Sequence, residues 1–251
     1  MSGGRRPPYP EAAAAWLVNG GRRRVLDLGS GDGGFALMLQ RERHEVFCLD
    51  RNPDRVAALP EQLGTRLHVA GQVESLPYLS CHFDAVTAAA TLHRFAPGLA
   101  LTEIARVLKP GGHLGVIYTT RDDTVPWVKR LTRLLQEVDP SAMRGDFGSE
   151  SVATVADSPY FGPLERKNIR NWVPITRAGL VKTVERRPSV AQLDPEVREQ
   201  LLHDVGRLYD TSARVPDPLL LPFQTSCWRA QVDHSKMAID DDLNDVLQIT
   251  L

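Results

Sequence analysis

Short apolar runs alternate along the first half of the chain with segments of helical periodicity. Five runs are rich in aliphatic and β-branched residues and are bounded by turn residues: RVLDLGS, HEVFCLD, RLHVAG, FDAVTAAA and HLGVIYTT. Between the last two, LALTEIARVLKPGG places Leu101, Ile104, Ala105 and Leu108 on one helical face. Strands that alternate with helices in this way form a parallel sheet covered on both faces. The pattern therefore predicts an α/β fold with a doubly wound sheet.

A different pattern follows Thr120 and predicts a cover over the sheet. One helical stripe, in TVPWVKRLTRLLQEVDP, is followed by the turn-rich stretch SAMRGDFGSESVATVADSPYFGP. We expect residues 121–163 to form a helical insertion after the fifth strand, lying over the carboxyl edge of the sheet. LERKNIRNWVPI and LPFQTSCWRAQV predict two further strands. The helix between them, LDPEVREQLLHDVGRLYD, has Asp194 as its N-cap and Pro195 at its first position.

Length and composition are those of one α/β domain. The 251 residues are 42% hydrophobic and 24% charged, so a sizeable core is possible. We expect a single domain over residues 1–232 and a flexible acidic tail over 233–251. The formal net charge of -1 gives no overall attraction to nucleic acid or anionic lipid, and a nucleic-acid partner is not expected. The oligomeric state stays open.

The cysteines and the apolar runs indicate the cellular compartment of the protein. Cys48, Cys81 and Cys227 are far apart, so neither a disulfide framework nor a metal site is expected. The N-terminal stretch has arginines but no adequate apolar core for a signal peptide, and no run approaches the length of a membrane span. We therefore expect a cytoplasmic protein.

The candidate chemistry lies in VLDLGSGDGGF, which fits two glycine fingerprints. Gly29, Gly31 and Gly34 form the G-x-G-x-x-G of dinucleotide loops, whereas Gly29, Gly31 and Gly33 behind Asp27 form the D-x-G-x-G-x-G of S-adenosylmethionine (SAM) enzymes. A carboxylate two residues before the loop would repel the phosphates of NAD. It would attract the amino group of SAM. Asp27 therefore favours SAM.

Further segments, in a fixed order, carry a family resemblance. VLDLGSGDGGF, VFCLDRNP, GQVESLPY, HFDAVTAAATLHRF and ARVLKPGGHLGV together resemble the class I SAM-dependent methyltransferases, in particular the small-molecule group that includes the ubiquinone/menaquinone and trans-aconitate methyltransferases. The resemblance is strong over residues 9–116 and weaker as far as residue 232. It implies a Rossmann-like, mostly parallel, seven-stranded sheet with an antiparallel last strand, and SAM as cofactor with S-adenosylhomocysteine (SAH) as its product.

The resemblance also implies a set of cofactor-binding residues. The glycine loop would line the methionine and ribose of SAM, with Asp27 near the amino group and Asp50 on the ribose hydroxyls. Gln72 stands where the family usually has an acid that contacts the adenine amino group, so it keeps a hydrogen bond but loses the charge. The full set is Asp27, Gly29, Ser30, Gly31, Gly33, Asp50, Arg51, Gln72 and Val73.

Two residues are candidates for contact with the reacting groups. Tyr9, in RRPPYP, matches a family tyrosine that can close over the sulfonium. His93 follows the fourth strand, at the sheet edge where ligands bind in such folds, and is a candidate general base or substrate ligand. The alternative for His93 is a polar residue that walls the pocket. Trp127, Tyr160 and Trp172 could form an aromatic wall around the acceptor, although core packing is the simpler interpretation of each.

These observations predict methyl transfer from SAM to a small, partly hydrophobic acceptor, with the reacting atom undetermined. Two alternatives stay open: a non-catalytic SAM-binding module of the same fold, and an NAD-dependent oxidoreductase. Nucleic-acid amino-methylation uses a P-P-Y motif after the fourth strand to hold a flipped base. Here RPPY occurs at residues 6–9 instead. A nucleic-acid substrate is therefore not expected.

Overall fold

The computed structural model describes residues 9–18, 20–64, 67–140, 148–214 and 218–237. The strands are β1 (Arg24–Leu28), β2 (Glu45–Asp50), β3 (His68–Ala70), β4 (Phe83–Ala89), β5 (Leu108–Arg121), β6 (Glu165–Ile175) and β7 (Leu219–Gln231). The helices are α1 (Glu11–Leu17), α2 (Gly34–Arg41), α3 (Pro53–Leu63), α4 (Pro97–Val107), α5 (Pro126–Val138), α6 (Ser149–Ala156), α7 (Arg177–Glu185), α8 (Pro188–Ala191) and α9 (Pro195–Ser212). Short 3-10 turns lie at Leu92–Arg94 and His234–Lys236.

The strands form one seven-stranded sheet in the order β3-β2-β1-β4-β5-β7-β6. Strands β1 to β5 are mutually parallel, and β7 lies antiparallel between β5 and β6. This confirms the predicted mostly parallel sheet with an antiparallel last strand. Because β1 to β5 run in one direction, the segments that follow them meet at one carboxyl edge, where ligands bind in such sheets.

Helices cover both faces of the sheet, as predicted for a doubly wound fold. On one face, α4 and α6 pack against a cluster that includes Leu26, Val86 and Val116. On the other, α1, α2 and α3 enclose Val25, Cys48, Ala85 and their neighbours. Burial of apolar side chains on both faces explains why β1 and β4 have near-continuous apolar sequences.

A third apolar cluster joins the helices of the second half to the sheet. Side chains of α5, α7 and α9 pack against the first residues of β7, including Leu219, Leu221 and Phe223. The stripe predicted for α5 is confirmed at Val128, Leu131 and Leu135, which are buried there. Asp194 precedes α9 at the N-cap position and Pro195 is its first residue, but the Asp194 side chain makes no capping hydrogen bond.

The structure differs from the sequence prediction in three segments. The turn-rich stretch contains helix α6, since Val152 and Val155 lie three residues apart and are both buried. Helices α7 and α8, between β6 and α9, were not predicted from the sequence. Leu108 begins β5 and pairs with Phe83 instead of ending the preceding helix. Residues 141–147 of the stretch and 238–251 of the predicted tail lie outside the described residues.

The sheet ends in two dissimilar edge strands. One edge is β3, which has only three residues. The other is β6, where Arg166, Lys167 and Arg170 are exposed. Across the described part of the chain, no helix is both long and apolar enough to span a membrane.

Candidate active site

The glycine loop connects β1 to α2 at the carboxyl edge and has a left-handed backbone at three positions. Gly29, Gly31 and Gly33 have φ angles of 65°, 58° and 75°. A Cβ atom on Gly29 would lie 2.8 Å from Thr91 Cγ2, and one on Gly33 would lie 2.8 Å from Leu59 Cδ2. Gly34 has no such φ angle, and a Cβ there would meet only Asp32 Oδ1 at 3.5 Å. The backbone thus requires the glycines of D-x-G-x-G-x-G and not the last one of G-x-G-x-x-G.

Gly33→Ala should lower the free energy of unfolding, whereas Gly34→Ala should not. Gly33→Ala places a side chain on a left-handed residue, which costs about 1–2 kcal/mol, and adds the close contact with Leu59. Gly34→Ala, in the first turn of α2, should leave stability unchanged or raise it by up to about 1 kcal/mol. Urea unfolding of the two variants checks this. An equal loss of unfolding free energy in both variants would contradict the different backbone requirements at these two positions.

Asp27 lies at the site as a buried carboxyl group with one unused oxygen. Its Oδ1 accepts a hydrogen bond from Thr87 Oγ1 at 2.9 Å, and its Oδ2 has no hydrogen-bond partner among the described residues. The side chain is 1% exposed. Burial raises the pKa of Asp27 to about 7, against the lowering effect of the Thr87 hydrogen bond, and the charge of Asp50 raises it further. A cationic group beside Oδ2 would favour the ionised form.

Asp50 ends β2 and fixes the glycine loop. Its Oδ2 accepts the backbone N–H of Gly31, and its Oδ1 accepts that of Asn52, both at 2.9 Å. The Arg55 guanidinium is 4.0 Å from Oδ2. Each carboxylate oxygen retains acceptor capacity after one hydrogen bond. The predicted role of Asp50 as a ligand of ribose hydroxyls is therefore compatible with its role in the loop.

The other predicted cofactor residues lie at the same edge of the sheet. Ser30 is buried within the glycine loop, and Arg51 follows Asp50 with its side chain exposed. Gln72 and Val73 follow β3; Gln72 is exposed and Val73 is 4% exposed. The structure thus brings together the chain segments that the sequence assigned to a cofactor, and the role of each residue stays a prediction.

Tyr9 is next to the glycine loop. Its ring contacts Phe35, in the first turn of α2, edge to face, with centroids 5.1 Å apart. Tyr9 therefore lies near the residues predicted to hold the cofactor, as its predicted role requires.

His93 lies on the 3-10 turn Leu92–Arg94 directly after β4. Its Nδ1 is 3.1 Å from the hydroxyl oxygen of Tyr118, and its backbone N–H donates to the same oxygen at 3.2 Å. The residue is exposed, so its imidazole is accessible at the carboxyl edge.

The three aromatic residues proposed as a wall lie in different places. Trp127 is buried in the cluster of α5, α7 and α9. Tyr160 packs against the apolar cluster on the α4 and α6 face of the sheet, whereas Trp172 is on the edge strand β6 and 46% exposed. The structure therefore does not assemble these three side chains around one pocket, and core packing is confirmed for Trp127.

Sequence reasoning did not identify the residues that support Asp27 and His93. Thr87 is the register partner of Asp27 in the neighbouring strand, Thr91 donates a hydrogen bond to the Leu28 carbonyl, and Tyr118 contacts His93. Thr87 could have been found from the sequence if the β1–β4 register had been known. Tyr118 gives no such signal, because it reads as one more apolar position of β5.

Comparisons with known proteins agree with this geometry. Residues 26–116 match the protein family described as a methyltransferase domain. An uncharacterised methyltransferase of Mycobacterium tuberculosis is 31% identical over 228 residues, which cover 90% of this chain and 90% of that protein. The demethylmenaquinone methyltransferase of Deinococcus radiodurans is 39% identical over 114 residues, which cover 42% of this chain and 47% of that protein.

A solved structure shows the same fold. A protein of Anaeromyxobacter dehalogenans, provisionally named a type II methyltransferase, superposes with a TM-score of 0.63 at 19% identity, covering 90% of this chain and 97% of that one. A doubly wound sheet with this strand order and this glycine loop is the class I methyltransferase fold. The chain belongs to the SAM-dependent methyltransferase family. These comparisons give no support to the NAD-dependent or non-catalytic alternatives.

Proposed function

We propose that this protein binds SAM at the glycine loop and transfers its methyl group to a small, partly hydrophobic acceptor. The observation that carries the proposal is the unused Oδ2 of buried Asp27 beside a loop of left-handed glycines. A buried carboxylate oxygen without a hydrogen-bond partner is costly, and a ligand amino group beside it would compensate for that cost. The residues present fit SAM in this respect.

The same residues oppose a dinucleotide. NAD would bring its pyrophosphate to the start of α2, near the carboxylates of Asp27 and Asp32. The negative charges of the phosphates and of the carboxylates would repel each other at close range. SAM carries no phosphate, so it avoids this repulsion, whereas Asp50 suits the ribose hydroxyls of either cofactor. The negative charges at the loop, together with the family membership, support SAM.

His93 is the residue we assign to the acceptor. When bound, SAM supplies an electrophilic methyl group on a sulfonium, and the sulfur keeps the bonding electron pair as the methyl group leaves. An acceptor that must lose a proton, such as a phenol, needs a base for it; in this proposal the proton passes to His93. A carboxylate acceptor would need only positioning. The helices α5 and α6 lie in the 121–163 segment that we propose covers the acceptor.

Titration with SAH and with NAD tests the cofactor assignment. SAH keeps the amino group and the ribose of SAM, so we expect it to bind and to raise the melting temperature. A ligand at a hundredfold over its dissociation constant adds about 2.7 kcal/mol to the free energy of unfolding. Differential scanning fluorimetry with each compound, followed by calorimetry, gives the result. A shift with NAD and none with SAH or SAM would overturn the proposal.

A further inference from the structure

A chain of hydrogen bonds joins His93 to helix α6 through Tyr118. The Tyr118 hydroxyl lies 3.0 Å from Ser151 Oγ and 3.1 Å from His93 Nδ1, and it accepts the His93 backbone N–H at 3.2 Å. Ser151 Oγ in turn donates to the Gly148 carbonyl at 3.0 Å. Tyr118 is 7% exposed, so its hydroxyl depends on these contacts for its hydrogen bonds.

The number of protons in this chain restricts how they can be arranged. In the one arrangement that makes all four contacts hydrogen bonds at once, Ser151 gives its one proton to Gly148, because a carbonyl oxygen only accepts. Ser151 Oγ must then accept, and the Tyr118 O–H proton points towards it. Tyr118 has no second proton to give. Its oxygen therefore accepts from His93 twice, once from the backbone N–H and once from Nδ1–H.

We propose that Tyr118 and Ser151 are positioning residues that hold the neutral His93 imidazole as its Nδ1–H tautomer. The lone pair is then on Nε2, and Nε2 is the atom that takes a proton from the acceptor. In water, imidazole side chains favour the other tautomer, with the proton on Nε2. The inference rests on the proposed function only in giving His93 the role of base; the tautomer itself is a property of the protein without cofactor or acceptor.

Packing around Tyr118 keeps this arrangement in place. A Cβ atom on Gly148 would lie 2.6 Å from Tyr118 Cδ2, so the backbone just before α6 rests directly on the ring. Trp228 packs against the ring from β7, with centroids 6.2 Å apart. A ring held between two elements has little freedom to turn its hydroxyl towards other partners. The geometry of His93 therefore depends on how α6 packs against Tyr118.

Nuclear magnetic resonance of protein labelled with ¹⁵N-histidine tests the proposal without an acceptor. Two-bond ¹H–¹⁵N spectra at about pH 8.5, where a histidine side chain is ordinarily neutral, report which ring nitrogen carries the proton. The His93 signals are assigned by their loss in His93→Ala. We expect the full-length protein to show mainly the Nδ1–H form.

Two variants should change the tautomer in the same direction by different routes. Tyr118→Phe removes the acceptor for Nδ1–H, so the Nε2–H form should become the major one. Ser151→Ala leaves the Tyr118 hydroxyl without its acceptor, so its proton turns to Nδ1 and again favours Nε2–H. Tyr78→Phe is the matched control: it removes a buried hydroxyl at the amino end of β4, where Tyr78 packs on Phe83, and should leave the His93 signals unchanged.

The outcomes separate this inference from the proposed function. A His93 that is mainly Nε2–H in the unaltered protein, or that stays Nδ1–H in both Tyr118→Phe and Ser151→Ala, would overturn the role of Tyr118. If one variant fails to fold, the other decides. SAH affinity, measured on the same samples, should be unchanged in both variants. If the unaltered protein does not bind SAH, the cofactor assignment is overturned, but the tautomer result is unaffected.

Discussion

Asp27→Asn should abolish SAH binding. It should also stabilise the cofactor-free protein relative to the parent, by an amount that grows as the pH rises. The asparagine oxygen can still accept from Thr87, but no negative charge remains for the ligand amino group. Removal of one partner from a buried ion pair costs about 3–5 kcal/mol, which is a loss of more than a hundredfold in affinity. Calorimetry with SAH measures this effect.

The effect of Asp27→Asn on stability is a gain relative to the parent protein, and it develops over a defined pH range. The folded-state pKa of Asp27, about 7, lies above the ordinary value of 3.8, so the folded protein holds a proton that the unfolded chain releases between these values. The contribution of Asp27 to the free energy of unfolding therefore falls as the pH rises from 3.8 to about 7, by a total on the order of 4 kcal/mol. The difference in unfolding free energy between variant and parent, measured by urea unfolding from pH 4 to 8, should change by that amount.

Asp84→Asn is the control for Asp27→Asn. Asp84 lies at the amino end of β4, where its carboxylate accepts the Arg24 backbone N–H at 2.7 Å and pairs with Lys109 at 2.9 Å. The pKa of Asp84 is lowered: burial raises it, but the hydrogen bond from Arg24 and the contact with Lys109 outweigh burial. Its replacement should reduce stability at neutral pH and leave SAH affinity unchanged. Parent-like SAH affinity in Asp27→Asn would remove Asp27 from the site.

His93→Ala should reduce turnover by about 10²–10⁴-fold for an acceptor that must lose a proton, because this is the usual contribution of a general base. SAH affinity should stay within twofold of the parent value, since His93 belongs to the acceptor side of the site. A panel of phenols, amines and carboxylic acids, screened by SAH release, would first identify a substrate. The defect should then shrink across a series of phenols of decreasing pKa, because a more acidic phenol needs less help from a base.

Two results would contradict this role of His93. Full turnover of His93→Ala on a weakly acidic acceptor would make it a wall residue. An equal defect across the whole phenol series would show that His93 positions the acceptor without taking its proton. His203→Ala, which removes an exposed histidine on α9, is the matched control and should leave turnover unchanged.

The parts of the fold that the sequence predicted are those governed by local patterns. The strands β1 to β5 were predicted from apolar runs bounded by turn residues, and the glycine loop from spacing alone. Helix α6 was not, because Gly148, Asp157 and Pro159 around it are turn residues and outweigh the short apolar repeat of Val152 and Val155. A helix of 8 residues is stabilised mainly by packing, here against α4, which no local pattern records.

The placement of candidate residues at one sheet edge could be predicted where the local sequence marks a residue, but contacts that depend on strand register could not. Asp27 and Asp50 stand at strand ends next to a glycine loop, which gave their positions directly. The pairing of Asp27 with Thr87 depends on how β1 aligns with β4, and that of His93 with Tyr118 depends on where β5 ends. These relations join residues 60 and 25 positions apart, so single-sequence patterns do not contain them.

The two edges of the sheet have a consequence for self-association. An exposed edge strand offers unpaired backbone groups to another chain, and short or charged edges discourage such pairing. Strand β3 is only three residues long, and β6 presents Arg166, Lys167 and Arg170 to the solvent. Two copies that met through β6 would bring like charges together, and two that met through β3 would gain few hydrogen bonds. Association of this protein by strand pairing at either edge should therefore be disfavoured, and so should fibres that grow by strand addition while the fold is intact.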